Sequence, residues 1–280
     1  MVVCGPTAGG KSELSDSVAE ELTGVRGLHV PTLVVDSMQV YRELPVITNQ
    51  ARRRRAELAG IVSVTEEWSV ARHRERAEEV IAAEETFVLD AGTGMYLNAI
   101  LLDFPLAPRV DPALRRRAEE ASAEATNPRR AARARELELA GAGTRGSVWD
   151  GNLRYDTTII YVRPGRPEID ASIAKRSRKI AHQGREEAEN LLKMLAEGAS
   201  ISPSVMDSVG VRELVGHLAG STTLAQAEEQ ISVRTRRFAR RQMRWFDKLV
   251  RTLEGRARVI PVRDGSQATN LHNMHDIIGA

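Results

Sequence analysis

One cysteine in 280 residues excludes an intramolecular disulfide and any cysteine-rich zinc module, and it fits a reducing compartment. Aromatic residues make up only 4% of the chain, too few for the stacking platform of a single-strand-binding protein. No run approaches the roughly 18 apolar residues of a membrane span, and no charged-then-apolar stretch precedes the first motif. A cytoplasmic chain without a membrane partner is therefore expected. Charge of one sign is missing too: 40 Lys and Arg face 38 Asp and Glu, a net charge of +2. Overall charge thus does not announce a nucleic-acid binder. Internal repeats and low-complexity tracts are absent.

What is present reads as a globular α/β chain, 42% hydrophobic and 28% charged, with room for about two domains of roughly 150 residues. Short apolar strands are predicted at Met1–Cys4, Thr32–Asp36, Thr86–Asp90 and Thr157–Val162, with a further one at Val259–Val262. Helical stretches separate them, the first marked by Leu14, Val18 and Leu22 at spacings of four. Continuous apolar strands alternating with helices predict a parallel sheet covered on both faces. Residues 109–150 differ: Arg, Ala and Glu dominate, which predicts a small helical insertion between core segments 1–108 and 151–280. A long helix is expected around Ile231–Leu253, and a weak helix in the tail.

The strongest motif is Gly5-Pro6-Thr7-Ala8-Gly9-Gly10-Lys11-Ser12, which follows a strand and opens a helix, as a P-loop requires. Glycines let backbone N–H groups converge on phosphate oxygens, and the helix N-terminus adds partial positive charge. Lys11 supplies a full charge, and the Ser12 hydroxyl suits Mg²⁺. From this motif alone the default reading is a kinase or nucleotide triphosphatase. At the end of the second strand stands Asp36, followed by Ser37, Met38 and Gln39. A carboxylate at that edge holds a metal or accepts a substrate proton, or else simply caps the next turn.

Between Ile231 and Arg256 nine Lys/Arg meet only two Asp/Glu. Arg234, Arg237, Arg241, Arg244, Lys248 and Arg251 advance by three or four residues and so share one helical face. Phe238, Gln242, Trp245 and Leu249 mark another, expected to dock on the core. The basic stripe reads as a phosphate-binding face, against the alternative of a solvated surface. His272, His275 and Asp276 are too loosely spaced for a metal site and read as surface tail.

Taken in order, these segments resemble the tRNA dimethylallyltransferase (tRNA isopentenyltransferase) family. The P-loop resembles the family's G-P-T-A-S-G-K-T, and Asp36-Ser37-Met38-Gln39-Val40-Tyr41-Arg42 its D-S-M-Q-V-Y-R, with Thr48 at the threonine of G-T-A-K-P. Ala91-Gly92-Thr93-Gly94-Met95-Tyr96-Leu97 is similar to G-G-T-G-L-Y-L, and Asp111-Pro112-Ala113-Leu114-Arg115 to D-P-x-L-R. Pro128-Arg129-Arg130 with Arg133-Ala134 resembles a segment of the family's helical domain. Ser208-Val209-Gly210-Val211-Arg212-Glu213-Leu214 is similar to A-I-G-Y-K-E-L. Thr235-Arg236-Arg237 and Arg240-Arg241-Gln242 through Trp245-Phe246 resemble T-R-R-x-A-K-R-Q-x-x-W-F. Differences exist: Gln50 replaces the lysine of G-T-A-K-P, Val211 a tyrosine, and Gly60-Ile61-Val62-Ser63-Val64 the H-H-L stretch. Asp90-Ala91 stands where the family prefers small residues. The insertion is shorter than the family's by about twenty residues, a change that chain-closure entropy tolerates.

The resemblance implies a P-loop NTPase-like fold and transfer of a dimethylallyl group from its diphosphate to N6 of an adenosine beside the tRNA anticodon. It implies that Gly5, Pro6, Thr7, Ala8, Gly9, Gly10, Lys11 and Ser12 bind the diphosphate, with Mg²⁺ at Ser12. Asp36 would accept the amine proton, while Thr7 and Arg176 (the second arginine of an R-I-x-x-R-like run) would assist the leaving group. Asp36, Ser37, Met38, Gln39, Thr93, Arg115, Arg129, Arg130 and Arg133 would bind the acceptor, expected to be the anticodon stem-loop of a tRNA. In the family the insertion reaches round that stem-loop. A monomer is expected. Transfer to a small acceptor, such as an adenine nucleotide, is the alternative within the same chemistry.

Overall fold

The computed structural model describes residues 1–108, 110–126, 128–141 and 146–265, with Pro112, Pro128, Arg129 and Arg130 described in backbone only. In chain order the elements are β1 (Val2–Cys4), α1 (Lys11–Arg26), β2 (Thr32–Val35), α2 (Val70–Ile81), β3 (Val88–Ala91), α3 (Gly94–Leu101) and β4 (Leu102–Asp103). Then come α4 (Pro112–Glu120), α5 (Pro128–Leu139), β5 (Asn152–Leu153), β6 (Thr158–Val162), α6 (Arg166–Gln183) and α7 (Arg185–Ala196). The chain continues with α8 (Pro203–Met206), α9 (Val211–Leu218), α10 (Leu224–Thr252) and β7 (Arg258–Val262). It forms two compact units, Met1–Ile100 with Tyr155–Ala280, and Leu101–Arg154.

The larger unit is built on a five-stranded, wholly parallel sheet in the order β2-β3-β1-β6-β7. Strands β1, β2, β3 and β6 are short and almost wholly buried, which is why they read as apolar runs, whereas the edge strand β7 leaves Arg258 and Pro261 exposed. On one side Leu14, Val18 and Leu22 of α1 pack with Val3, Val88, Ile160 and Val162. A second core gathers Val40, Tyr41, Leu44 and Ile47 against Ile180, Leu191, Leu214 and Ile231. Both the P-loop and the turn after β3 leave the carboxyl edge of the sheet, where open α/β sheets bind ligands.

The long helix begins earlier than its basic stripe suggests. Thr223 accepts from the Gln226 N–H, and Gln226 bonds back to the Thr223 N–H at 2.8 Å, a capping box that starts α10 at Leu224. Its buried face runs through Ile231, Thr235, Ala239, Gln242, Phe246 and Leu249. Phe238 and Trp245, expected in that face, lie only half-buried at its margins.

The smaller unit pairs β4 with β5 antiparallel, Leu102 opposite Leu153, and packs α4 on α5. Asp111 caps α4 by accepting from the Ala113 N–H at 2.7 Å. Among the described side chains of α4 and α5, those that are buried are Ala118, Ala132 and Glu136. The predicted tail helix and His272, His275 and Asp276 lie outside the described residues.

Candidate active site

The glycine-rich loop has the backbone its motif requires. A Cβ on Gly5 would meet the Val162 carbonyl oxygen at 2.3 Å, so no other residue fits between β1 and β6. Gly10 turns the chain into α1 through the left-handed region, φ 78°. Ala8 holds a positive φ of 62°, a strained conformation for a residue with a Cβ. Lys11 Nζ folds back on the Pro6 carbonyl at 2.8 Å, and the amides of Lys11 and Ser12 open α1 without intrahelical acceptors. The Thr7 N–H is committed elsewhere: it donates to Gln242 Oε1 at 2.8 Å, while Gln242 Nε2 donates to the Gly92 carbonyl at 2.7 Å. One side chain of α10 thus ties the P-loop to the third motif.

Asp36 follows β2. Its Oδ1 accepts from the N–H groups of Met38 (2.8 Å) and Gln39 (3.3 Å). The Ser37 N–H donates to Thr93 Oγ1 at 3.0 Å. A Cβ on Gly92 would fall 2.5 Å from Asp36 Oδ2, so the second and third motifs touch through a glycine. Gly94 serves Trp245 in the same way, with a Cβ there 2.1 Å from the indole, whose Nε1 donates to Asn98 Oδ1.

Electrostatics join these groups. Burial pushes the Asp36 carboxyl up, opposed by the two amides and by the charges of Lys11 and Arg176. Burial lowers Lys11, while Asp90 and Asp36 raise it. Burial also lowers Arg176 of α6, opposed by Asp36, and its Nε is shut from solvent without a partner. Asp36 is thus coupled to two cations, Lys11 and Arg176, an arrangement suited to a dianionic leaving group beside a proton acceptor.

Three participants escaped the sequence reading. Ser12 Oγ donates to Asp90 Oδ2 at 2.8 Å, and Arg52 binds that same oxygen at 2.6 Å and Asp16 Oδ1 at 2.8 Å. The signal was present in the apolar run Phe87-Val88-Leu89 ending in Asp90, the pattern of a Walker-B strand. Nothing local marked Arg52 or Asp16 as its partners. Gln50 is structural here: its Nε2 donates to the Tyr41 carbonyl (2.8 Å) and Thr48 Oγ1 (2.9 Å).

Of the stripe on α10, Arg234 is bound internally to Glu213 and the Asp207 carbonyl, and is not offered outward. Arg237, Arg240, Arg241 and Arg244 are exposed, and with Arg163, Met243 and Asp247 they line a depression of about 530 Å³. Arg163 is neutralised by Asp247 at 2.9 Å, and Arg241 lies over the Phe238 ring at 5.8 Å. In the smaller unit Arg115 pairs with Glu119 at 3.1 Å, and Arg133 with Glu136 at 2.7 Å. The side chains of Arg129 and Arg130 lie outside the described residues. Among the described residues, no group of three or more His, Cys, Asp or Glu could hold a metal, and no helix is long and apolar enough to cross a membrane.

A P-loop after the central strand of a parallel sheet, with a carboxylate and two cations at its mouth, defines an α/β protein of the P-loop NTPase-like class. The IPP transferase family model matches residues 39–138 and 120–249. The chain belongs to that family. It is 56% identical to a tRNA dimethylallyltransferase of Rubrobacter xylanophilus over 285 residues, covering 100% of this chain and 98% of the relative. A tRNA dimethylallyltransferase of Thermobifida fusca is 33% identical, with 88% of this chain and 86% of the relative covered. The tRNA isopentenylpyrophosphate transferase of Bacillus halodurans shares the fold at a TM-score of 0.70 and 24% identity, over 99% of this chain and 95% of that one.

Proposed function

We propose that this protein transfers the dimethylallyl group of dimethylallyl diphosphate to N6 of an adenosine next to a tRNA anticodon, releasing diphosphate. The observation that carries this reading is the convergence of Lys11, Asp36 and Arg176, electrostatically coupled at the mouth of the P-loop. The amides opening α1, with Lys11 and Arg176, hold the diphosphate and take up the charge that grows as the allylic C–O bond breaks. The N6 lone pair forms the new C–N bond, and the proton it sheds passes to Asp36. A carboxylate raised by burial is a better base near neutral pH than an ordinary one. The backbone amides of Met38 and Gln39 fix its orientation, leaving Oδ2 toward Gly92.

Mg²⁺ suits the hard oxygens available, namely Ser12 Oγ and the diphosphate itself. When bound, it neutralises leaving-group charge. The acceptor is read as tRNA from the four outward arginines of α10 and the relatives' names. The alignment with the Rubrobacter relative spans 285 positions against 280 residues here, so no long insertion separates the two. The protein acts as a monomer in this reading.

The test is direct. Purified protein is incubated with dimethylallyl diphosphate and tRNA, AMP or ATP, and products are read by mass. Prenylated tRNA is expected, and an anticodon stem-loop should suffice as acceptor. Replacing Arg129, Arg130 and Arg133 by alanine should raise the tRNA KM and leave donor affinity unchanged. Prenylation of AMP outpacing every tRNA would shift the assignment to a small acceptor.

A further inference from the structure

The Thr7 amide and the Gly92 carbonyl belong to different loops, one leaving β1 and the other β3. Gln242 of α10, 5% exposed, answers both. Its Oε1 accepts the Thr7 N–H at 2.8 Å, and its Nε2 donates to the Gly92 carbonyl at 2.7 Å. A primary amide carries an acceptor and a donor on one planar group, where a carboxylate can only accept and an ammonium only donate. Without it a backbone donor and a backbone acceptor would be left unpaired in the interior.

Gly92 is held from other sides as well. Its N–H and that of Thr93 both donate to the Val35 carbonyl, at 3.1 and 3.0 Å, while the Thr93 hydroxyl oxygen accepts the Ser37 N–H. A Cβ on Gly92 would lie 2.5 Å from Asp36 Oδ2 and 3.7 Å from Gln242 Nε2, so carboxylate and amide meet at one glycine. The contacts run from Thr7 through Gln242 and Gly92 to Asp36, that is, from the leaving-group cradle to the proton acceptor. Misplacing a reacting group by about 1 Å costs on the order of 10²-fold in rate.

We infer that Gln242 is a positioning residue: it sets the spacing between the diphosphate cradle and the Asp36 carboxylate, and so acts on turnover and not on the binding of either substrate. This rests on the P-loop as diphosphate site and Asp36 as proton acceptor, and the test separates the two.

Wild type, Gln242→Leu and Gln242→Glu are compared as full chains, well below their melting temperatures. Inorganic diphosphate is titrated by calorimetry, and kcat and KM are measured with dimethylallyl diphosphate and tRNA. Gln242→Leu should lose about 10- to 100-fold in kcat, with diphosphate affinity, binding stoichiometry and tRNA KM unchanged. Gln242→Glu should lose as much at high pH, where a carboxylate faces the Gly92 carbonyl. Its rate relative to wild type should recover as pH falls, because the protonated carboxyl again supplies one donor and one acceptor. Burial and Asp36 across Gly92 place that titration above the ordinary carboxylate range. The ratio of Gln242→Leu to wild type should stay flat. A merely structural role predicts kcat falling only as the binding stoichiometry falls; that result, or a flat ratio in both variants, overturns the inference. Should neither variant fold, hydrogen exchange in wild type decides: a slow Thr7 amide supports the link, and one as fast as an exposed loop overturns it. Absence of diphosphate binding in wild type, or full turnover in Asp36→Asn, overturns the reading of the site itself.

Discussion

Arginine plays opposite parts in two places of the larger unit. Arg52 is buried below the P-loop, its donors spent on Asp16, Asp90 and the Ser12 carbonyl. On α10, by contrast, Arg237, Arg240, Arg241 and Arg244 stand exposed around a shallow depression, with Asp247 the single acid lining it and already engaged by Arg163. Pairing with two carboxylates offsets the desolvation of the Arg52 guanidinium. An exposed row of guanidiniums carries a field that a polyanion can answer. The first kind holds the site together; the second waits for a partner from outside.

Several measurements press on that contrast. The largest effect is expected at neither group but at the carboxylate between them and the chemistry. Asp36→Asn should lose about 10²–10⁴-fold in turnover, the usual worth of a general base, with donor affinity retained in calorimetry. Burial raises Asp36 above its ordinary value near 3.8, so folding favours its protonated form, and the ionised form costs stability as pH rises through that window. The melting temperature of Asp36→Asn at neutral pH should therefore match or exceed wild type. In wild type, the acid limb of the pH–rate profile should lie above the ordinary carboxylate range.

Next in size is Arg52→Ala. Stranding Asp16 and Asp90 should cost about 3–5 kcal/mol in denaturant unfolding. A loss confined to acceptor binding would put Arg52 in the same class as the α10 arginines and erase the contrast.

Arg244→Ala should do the reverse. Stability should move by no more than about 0.5 kcal/mol. The log–log salt slope of tRNA affinity should flatten by about one unit. A salt-independent affinity would return this face of α10 to ordinary solvated surface. The smallest effect is expected in the smaller unit, where Glu119→Gln removes the exposed Arg115–Glu119 pair. Such pairs contribute only about 0–1 kcal/mol, so stability should barely change.

Local chemistry dictated much of this molecule. Strands β1, β2, β3 and β6 are readable because strands buried on both faces must be largely apolar, and the P-loop because phosphate contact demands glycine, lysine and a hydroxyl at set spacings. Asp36 stood out by its place at a strand end, and the basic helix by its charge. The start of α10 was missed because Thr223 and Gln226 form its capping box upstream of the basic stripe. The inward commitment of Arg234 was missed because Glu213 and Asp207 lie on other elements.

What only the tertiary structure decided are the meetings across long sequence separations. Gln242 reaches Thr7 and Gly92, Arg52 reaches Asp16 and Asp90, and Gly92 admits Asp36. A motif records what its own backbone and ligand need over a few residues. The partner of a buried charge is set by which strand and helix lie alongside, and the parallel order β2-β3-β1 is what brings Asp90 beneath Ser12.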